Sequence, residues 1–544
     1  MVFLFLTSNT ISIHWFSTLL QVTLGLIIVM ASILTSFMNE IKEISSPDKT
    51  NDVANDKSDD NKNNDKGDDN KNNDKGGTLL ISGCVDWDRQ LGSKDKEVIS
   101  LDEPMAIRFN QKVLRSYSSS SSYHLFIQLL DGSIFGLGRN KNGQLGCNDT
   151  TTQNTPIPIE IPENNSKVLK ISTGSKHSLM LLENGNVYGS GSNEFGALGL
   201  GGHKTAIKDF LKFTKIESLK NIVDLSCGDN FSVVVDRDGN LYSFGHPECG
   251  QLGHGSNGEY IQKAGKVNYA YVCQPTLISK FLQKTVVFGN NKARINEINE
   301  KIKFVKVSCG KNHVLALEDW DNPTRGNRLF SWGNSGYGRT GLNTQDDELH
   351  PIEITALSDP EHKNITKHIR DIAAGSTFSI AISRTRNLYY FGKISNAPRS
   401  EATMYPKMLN ELVGYPIRMG ECGQNCIILS SSDLAIGWGV AVSGKFGFQG
   451  DVKGSTIPTL ISKVNGLYTS HISCGLYHTC MVVTEDELPA VDTGGHSNFC
   501  HKSQGNRISI KDIPVWIDVV EETKEKKRKA GTVKNDKNQK KPKR

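Results

Sequence analysis

An internal repeat restricts this chain more than any other feature. Corresponding glycines Gly146, Gly199 and Gly253 fall 53 and 54 residues apart, and the residues around them recur. One half of each unit is a pair of apolar, alternating runs meeting at a glycine: "KVLKISTGSKHSLMLL" (167–182), "NIVDLSCGDNFSVVVD" (221–236), "FVKVSCGKNHVLALED" (304–319), "IRDIAAGSTFSIAIS" (369–383), "IRMGECGQNCIILSS" (417–431) and "HISCGLYHTCMVV" (471–483). The other half follows directly: "DGSIFGLGRNKNGQLG" (131–146), "NGNVYGSGSNEFGALG" (184–199), "DGNLYSFGHPECGQLG" (238–253), "NRLFSWGNSGYGRTG" (327–341) and a looser "SDLAIGWGVAVSGKFG" (432–447). Period-two alternation predicts strands, and Asp-Gly or Asn-Gly supplies the positive φ of a tight hairpin. Each unit therefore reads as one four-stranded blade, and a stack of such units as an all-β ring.

The count reaches seven if two incomplete ends are joined. "TLLISGCVDWDRQLG" (78–92) is a second half with no first half before it, and "HISCGLYHTCMVV" is a first half with no second half after it. Pairing them in one blade predicts a seven-bladed β-propeller closed by its N- and C-terminal strands, with no exposed edges at the closure. The first complete blade is expected to open at "SSSSSYHLFIQLL" (118–130). The 51 glycines suit many short strands joined by tight turns.

No nucleophile paired with a base, no paired carboxylates and no P-loop is legible, so bond-breaking chemistry is not expected, and no cofactor is implied. The eleven cysteines contain no CxxC pair and read as reduced core residues. "HSNFCH" (496–501) matches no metal-ligand spacing. His177, His313 and His478 occupy the same point of separate repeats. A feature needed once per blade is expected to pack and hydrogen-bond rather than hold a metal.

Outside the repeat the composition changes abruptly. Residues 1–39 hold no Asp, Glu, Lys or Arg, and 15–37 is long enough to span a bilayer. This segment is either an anchor or an extension that the working protein lacks, with Met30 or Met38 as its start. Residues 40–77 form a low-complexity linker, in which "DDNKNNDKG" occurs twice in tandem, and cannot bury enough apolar surface to order. The propeller is expected over 78–487 and a flexible tail over 488–544. The formal charge of +5 is concentrated in that tail, where 524–544 carries eleven Lys or Arg against Glu525 and Asp536. Its clusters, Lys526, Lys527, Arg528, Lys529 and then Lys540, Lys541, Lys543, Arg544, predict nuclear import and attraction to polyanions.

The unit "GxxHxLxL … DGxLYSxGxNxxGQLG" resembles the repeat of the regulator-of-chromosome-condensation family over about 400 residues. "GNLYSFGHPECGQLGHGSNGEYI" (239–261), "RSEATMYPKML" (399–409) and "LLISGCVDWD" (79–88) look like its telophase disc branch. The resemblance implies a non-catalytic scaffold in mitosis and chromosome segregation. It would engage small GTPases of Rac, Ral or Ran type, microtubules, and chromatin or centromere proteins. It also implies the nucleus and nucleolus in interphase, then centromere, spindle and midzone. A guanine-nucleotide exchange factor, which works by differential binding to the nucleotide-free GTPase, stays open beside the scaffold, as does a membrane-anchored propeller.

Gly253 to the corresponding Gly341 spans 88 residues, so some thirty are extra. They include "KFLQKTVVFGNNKARINEINEKIK" (280–303). Long insertions on a rigid ring are where binding tends to reside, and an aromatic beside basic residues makes a good interface anchor. The expectation is that this loop projects from one face and docks a GTPase through Phe281, Lys284, Thr285 and Phe288.

Overall fold

A computed structural model describes residues 75–88, 99–201, 209–263, 265–286, 293–319, 326–359, 364, 367–394, 401–440, 445–447, 454–485 and 507–519. Each repeat forms one antiparallel sheet. In blade 1 the strands are Val113–Tyr117, His124–Leu129, Ile134–Gly138 and Gln153–Ile159, ordered from the ring axis outward. Blades 2, 3, 5 and 6 repeat this order, with inner strands Val168–Thr173, Ile222–Cys227, Ile369–Ala374 and Ile417–Cys422. Blade 4 starts at Phe304–Cys309 and blade 7 at Tyr468–Cys474. Inner strands of neighbouring blades pack against one another all the way round, and that of blade 7 meets that of blade 1.

Two-faced burial explains the unbroken apolar character of each second strand. His177–Leu182, Phe231–Asp236 and Phe378–Ser383 are buried at every residue because a blade has neighbours on both faces. The core is therefore a set of layers between blades. One layer joins Phe231, Val233 and Leu252 of blade 3 to Phe304, Phe330 and Trp332 of blade 4. The hairpin glycines adopt the expected positive φ, +88° at Gly132 and +83° at Gly239. All ten cysteines among the described residues are free thiols, seven of them buried.

The ring closes as the two half-units predict. Thr78–Cys84 is the third strand of blade 7, in register with His478–Thr484 from Thr78 opposite Val483 to Gly83 opposite His478. On its other side it pairs with Ser100–Arg108. Closure does not abolish edges, because every blade keeps its outermost strand. Four of these outermost strands contain a proline, Pro158, Pro275, Pro406 and Pro458, which cannot donate to a further strand.

Three expectations are corrected. Blade 1 opens at Val113 rather than at 118, because the serine run is the turn between its first two strands: Ser122 N donates to Ser119 O at 2.9 Å. Within the tail expected to be flexible, Val515–Asp518 lies parallel to Ser100–Arg108 as a fifth strand on blade 7. Ile517 joins the core there, beside Ile107. The described part of the insertion at 280–303 runs along the sheet rather than away from a face. Leu282–Val286 and Ala293–Glu297 form a hairpin that extends blade 4 sideways, with Leu282 parallel to Ile352. The candidate span 15–37 and the basic clusters beyond 519 lie outside the described residues. Among the described residues no helix is long and apolar enough to cross a membrane.

Candidate functional site

The recurrent histidines fasten one blade to the next. His124 Nε2 lies 2.7 Å from Ser178 Oγ, His177 Nε2 3.0 Å from Ser232 Oγ, and His313 Nε2 2.8 Å from Ser379 Oγ. Each serine already donates to a backbone carbonyl, of Gln144, Ala197 and Arg339 respectively. The histidine must therefore be the donor, which fixes the Nε2–H tautomer. His478 completes the set through Ser118 Oγ at 2.9 Å. The glycine three residues earlier is needed because the ring lies on it: a Cβ at Gly174, Gly310 or Gly475 would stand within 2.2 Å of the imidazole. Where Phe231 or Phe378 replaces histidine, the facing residue of the next blade is Val314 or Ile427. The histidines are thus structural, as their recurrence predicts.

The inner strands line the axis with charge. Every inner strand carries a one-residue bulge near its start, such as Leu169 between the pairs Val168–Leu182 and Lys170–Leu181. The residue after the bulge is Arg115, Lys170, Asp224, Lys306 and Asp371 in blades 1 to 5. Lys170 pairs with Asp224 at 2.6 Å, and Lys306 with Asp371. Asp224 also accepts from Val307 N at 2.8 Å. Ser172, Ser226 and Ser308 accept backbone N–H groups of the following inner strand, so unpaired inner edges are satisfied across blades. Glu421 faces the same channel, where burial pushes its carboxyl up to about 7 against the opposing pull of Lys306.

Two inserted hairpins flank the outer strand of blade 3, and neither is needed to close the ring. The first, Glu259–Ile261 with Val267–Tyr269, is a two-stranded sheet of its own, outside the ladders of the blades. Such a ribbon is marginal in water unless it packs on something. Here it stands on an aromatic base. Tyr269 and Tyr271 contact the His246 ring at 5.5 and 5.2 Å, and Phe195 of blade 2 meets His246 at 5.0 Å. Burial holds the His246 imidazole below its ordinary range despite Glu248 nearby. Toward its tip the ribbon exposes the cross-strand pair Ile261 and Val267, 72% and 46% accessible, beside Lys263 and Lys266. An exposed apolar pair on a rigidly based ribbon is what a partner can use.

The second hairpin carries the residues singled out from sequence, and they are used inward. Phe281 stacks with Phe304 at 5.2 Å and Phe330 at 6.0 Å, joining the core between blades 3 and 4. Lys284 pairs with Glu348, and Gln283 Nε2 donates to Glu353 at 2.9 Å, tying the hairpin to the edge of blade 4. These contacts are what an added strand needs to seat its inner side. Ile295, opposite Lys284 in register, is 56% exposed. The backbone of Thr285 lies in the hairpin opposite Arg294, while Phe288 falls outside the described residues. Sequence reasoning missed the first hairpin, although "EYIQKAGKVNY" carries short alternation around a glycine turn.

Known proteins share both the sequence pattern and the shape. A family model for the RCC1-like domain matches residues 73–481. Protein RCC2 of Mus musculus is 32% identical over 427 residues, covering 76% of this chain and 78% of that protein. The Xenopus laevis homolog of RCC2 is 32% identical over 423 residues, with the same coverage. Among solved structures, human WBSCR16 superposes with a TM-score of 0.58 at 18% identity, covering 75% of this chain and 99% of that one. Prp20p of Saccharomyces cerevisiae, whose crystal structure was described with its binding properties to Gsp1p and histones, gives 0.57 at 19%, covering 79% and 97%. At those identities the two structures speak for the fold, while the family match and the RCC2 relatives, which bear out the resemblance read from the repeats, place the chain in the RCC1-like domain family.

Proposed function

We propose that this propeller is a non-catalytic scaffold that binds a small GTPase during mitosis, with its inserted hairpins as the docking element. The observation that carries this reading is the Ile261–Val267 ribbon, an exposed apolar pair held at fixed orientation on an aromatic base. Kinship with RCC2 supports a mitotic setting, and the Gsp1p binding described for Prp20p supports a GTPase partner. Ile295 of the second hairpin takes the anchoring role first assigned to Phe281. Replacing Ile261 and Val267 together with Asp is expected to weaken binding to a nucleotide-free Rac-, Ral- or Ran-type GTPase by roughly tenfold or more. Thermal stability should stay unchanged, because both side chains are exposed. Equal affinity of parent and variant would remove the ribbon as the docking site, and no binding by the parent to any of the three would remove the GTPase reading. A nucleotide-release assay on the same panel separates scaffold from exchange factor: acceleration of release assigns the latter.

The tail clusters at 526–529 and 540–544 are proposed to direct nuclear import and to add salt-dependent attraction to chromatin or microtubules. Deleting 524–544 should lower nuclear accumulation and weaken DNA or microtubule co-sedimentation. Unchanged behaviour in both assays would overturn this assignment.

A further inference from the structure

The face of the ring on which the inner strands begin carries a second, differently built surface. At four consecutive blades the bulged residue is apolar: Leu114, Leu169, Val223 and Val305. A bulge puts two successive side chains on one side of a strand. Here the second of the two is the channel charge, and the first stands at the channel mouth. Burial follows this geometry. Val168 and Lys170 flank a Leu169 that is 44% exposed, Val223 is 41% exposed, Val305 is 38% exposed and Leu114 is half-buried. Core-facing neighbours on the same strands, Ile171, Ile222 and Phe304, are buried. Four blades thus present a continuous apolar arc around the mouth, on the most rigid element of the fold.

Just outside the arc the rim is cationic, and backbone pairing puts its members on the same face. Leu130 N donates to Lys112 O at 3.0 Å, Glu183 N to Lys167 O at 2.9 Å, and Arg237 N to Asn221 O at 2.8 Å. Lys112, Lys167, Lys220 and Arg237 are all exposed. Of the acids on this rim, Asp319 is taken up by Lys303 at 2.7 Å, and Asp131 accepts from Ser133 N at 2.9 Å within its own turn. Asp131, which that bond keeps charged, Glu183 and Asp238 stand among the four cations, which keep an excess of one.

We infer that this channel mouth docks an acidic, extended segment of a partner protein, whose apolar side chains seat on the Leu114–Leu169–Val223–Val305 arc while its carboxylates meet the lysine and arginine rim. Charge complementarity selects an anionic occupant, and the arc selects among anions. A phosphate backbone would gain from the rim but would leave four branched apolar side chains in water. A peptide with alternating acidic and apolar residues uses both. This surface is distinct from the hairpins and does not depend on them.

The test uses the full chain and a short fluorescein-labelled peptide in which pairs of glutamates alternate with leucines, read by polarisation at low and moderate salt. The parent should bind, more weakly as salt rises. Leu169→Ser/Val223→Ser/Val305→Ser and, separately, Lys167→Glu/Lys220→Glu should each reduce affinity at least tenfold, with unchanged melting temperature. Equal affinity of parent and both variants would mean that the basic tail holds the peptide, and would overturn the proposal. It would also fall if duplex DNA or phosphatidylserine vesicles bound more tightly than the peptide and lost binding in the same variants. A lysine-for-glutamate peptide should not bind; binding of both peptides alike would count against charge selection.

Discussion

Acidification should unfold this propeller well above the pH at which its carboxylates protonate. Burial holds the imidazoles of His124 and His478 down to about 3 and that of His177 to about 4, and depresses that of His313 as well. In the unfolded chain these groups titrate near 6.5. A depressed folded pKa gives stability that is fully present above 6.5 and is lost as pH falls toward the folded value, because only the unfolded state takes up protons in that window. At pH 5 each such histidine costs roughly 2 kcal/mol, so His124, His177 and His478 together remove about 6 kcal/mol, within the range of a whole domain's stability, and His313 and the buried His471, held down to about 3, add in the same direction. Glu421 acts with the opposite sign: its raised folded pKa gives stability that is present below its ordinary range near 4.5 and lost as pH rises through about 7. One carboxyl offsets only part of five imidazoles. Melting temperature followed from pH 8 to 4.5 should fall steeply below 6.5. His177→Phe with Ser232→Val copies the Phe231–Val314 arrangement already used one blade further on and should shallow that fall by about a fifth. A melting temperature flat between pH 7 and 5 would show that the ring histidines are not held neutral.

The same residues show where sequence is informative and where it is not. The repeat made blade number and the structural use of histidine legible, because the blade pattern recurs seven times and the histidine four, and it made closure legible because the two incomplete units complement each other. For His124, His177 and His313 the tautomer had a sequence signature, since serine follows histidine and valine or isoleucine follows phenylalanine at the facing position of the next blade, whereas His478 uses Ser118 of the turn instead. Features that occur once lacked this support. Phe281 looked like a docking anchor because its neighbours are basic, but an aromatic at the root of an added strand is more cheaply buried against Phe304 and Phe330. Lys284 looked available, yet the outer strand it joins presents Glu348 at the right height. The strand Val515–Asp518 stayed hidden because a four-residue run gains meaning only beside the edge of Ser100–Arg108, more than four hundred residues away in sequence. The channel-mouth arc was equally invisible, because a bulge is a matter of register and leaves the alternation of a short strand looking ordinary.

Removing the N-terminal half of blade 7 should have the largest effect of any local change, because one strand serves three purposes. Thr78–Cys84 pairs on both sides, with His478–Thr484 and Ser100–Arg108, so its loss strips two ladders. It also supplies Leu79, Leu80 and Ile81, all fully buried, to two different layers. Leu80 packs with Ile428, Met481 and Val483 toward blade 6, while Leu79 and Ile81 pack with Leu125, Ile127 and Val482 toward blade 1. Burial of three such side chains contributes on the order of 6 kcal/mol, before the unpaired backbone of two flanking strands is counted. A chain starting after residue 110 should therefore fail to melt cooperatively. The ring geometry gives this loss a specific remedy. If blades 1 to 6 retain their own pairing and the defect is an open seam, a peptide covering 75–110 added in trans should restore a cooperative transition, with an apparent melting temperature that rises with peptide concentration. A peptide carrying Leu80→Asp should not, since its carboxylate would enter the layer held by Met481 and Ile428 without a partner. A truncated chain that melts as sharply and as high as the parent would show that the seam carries no weight in the fold. Failure of the unaltered peptide to rescue would place the cost in the other blades rather than at the seam.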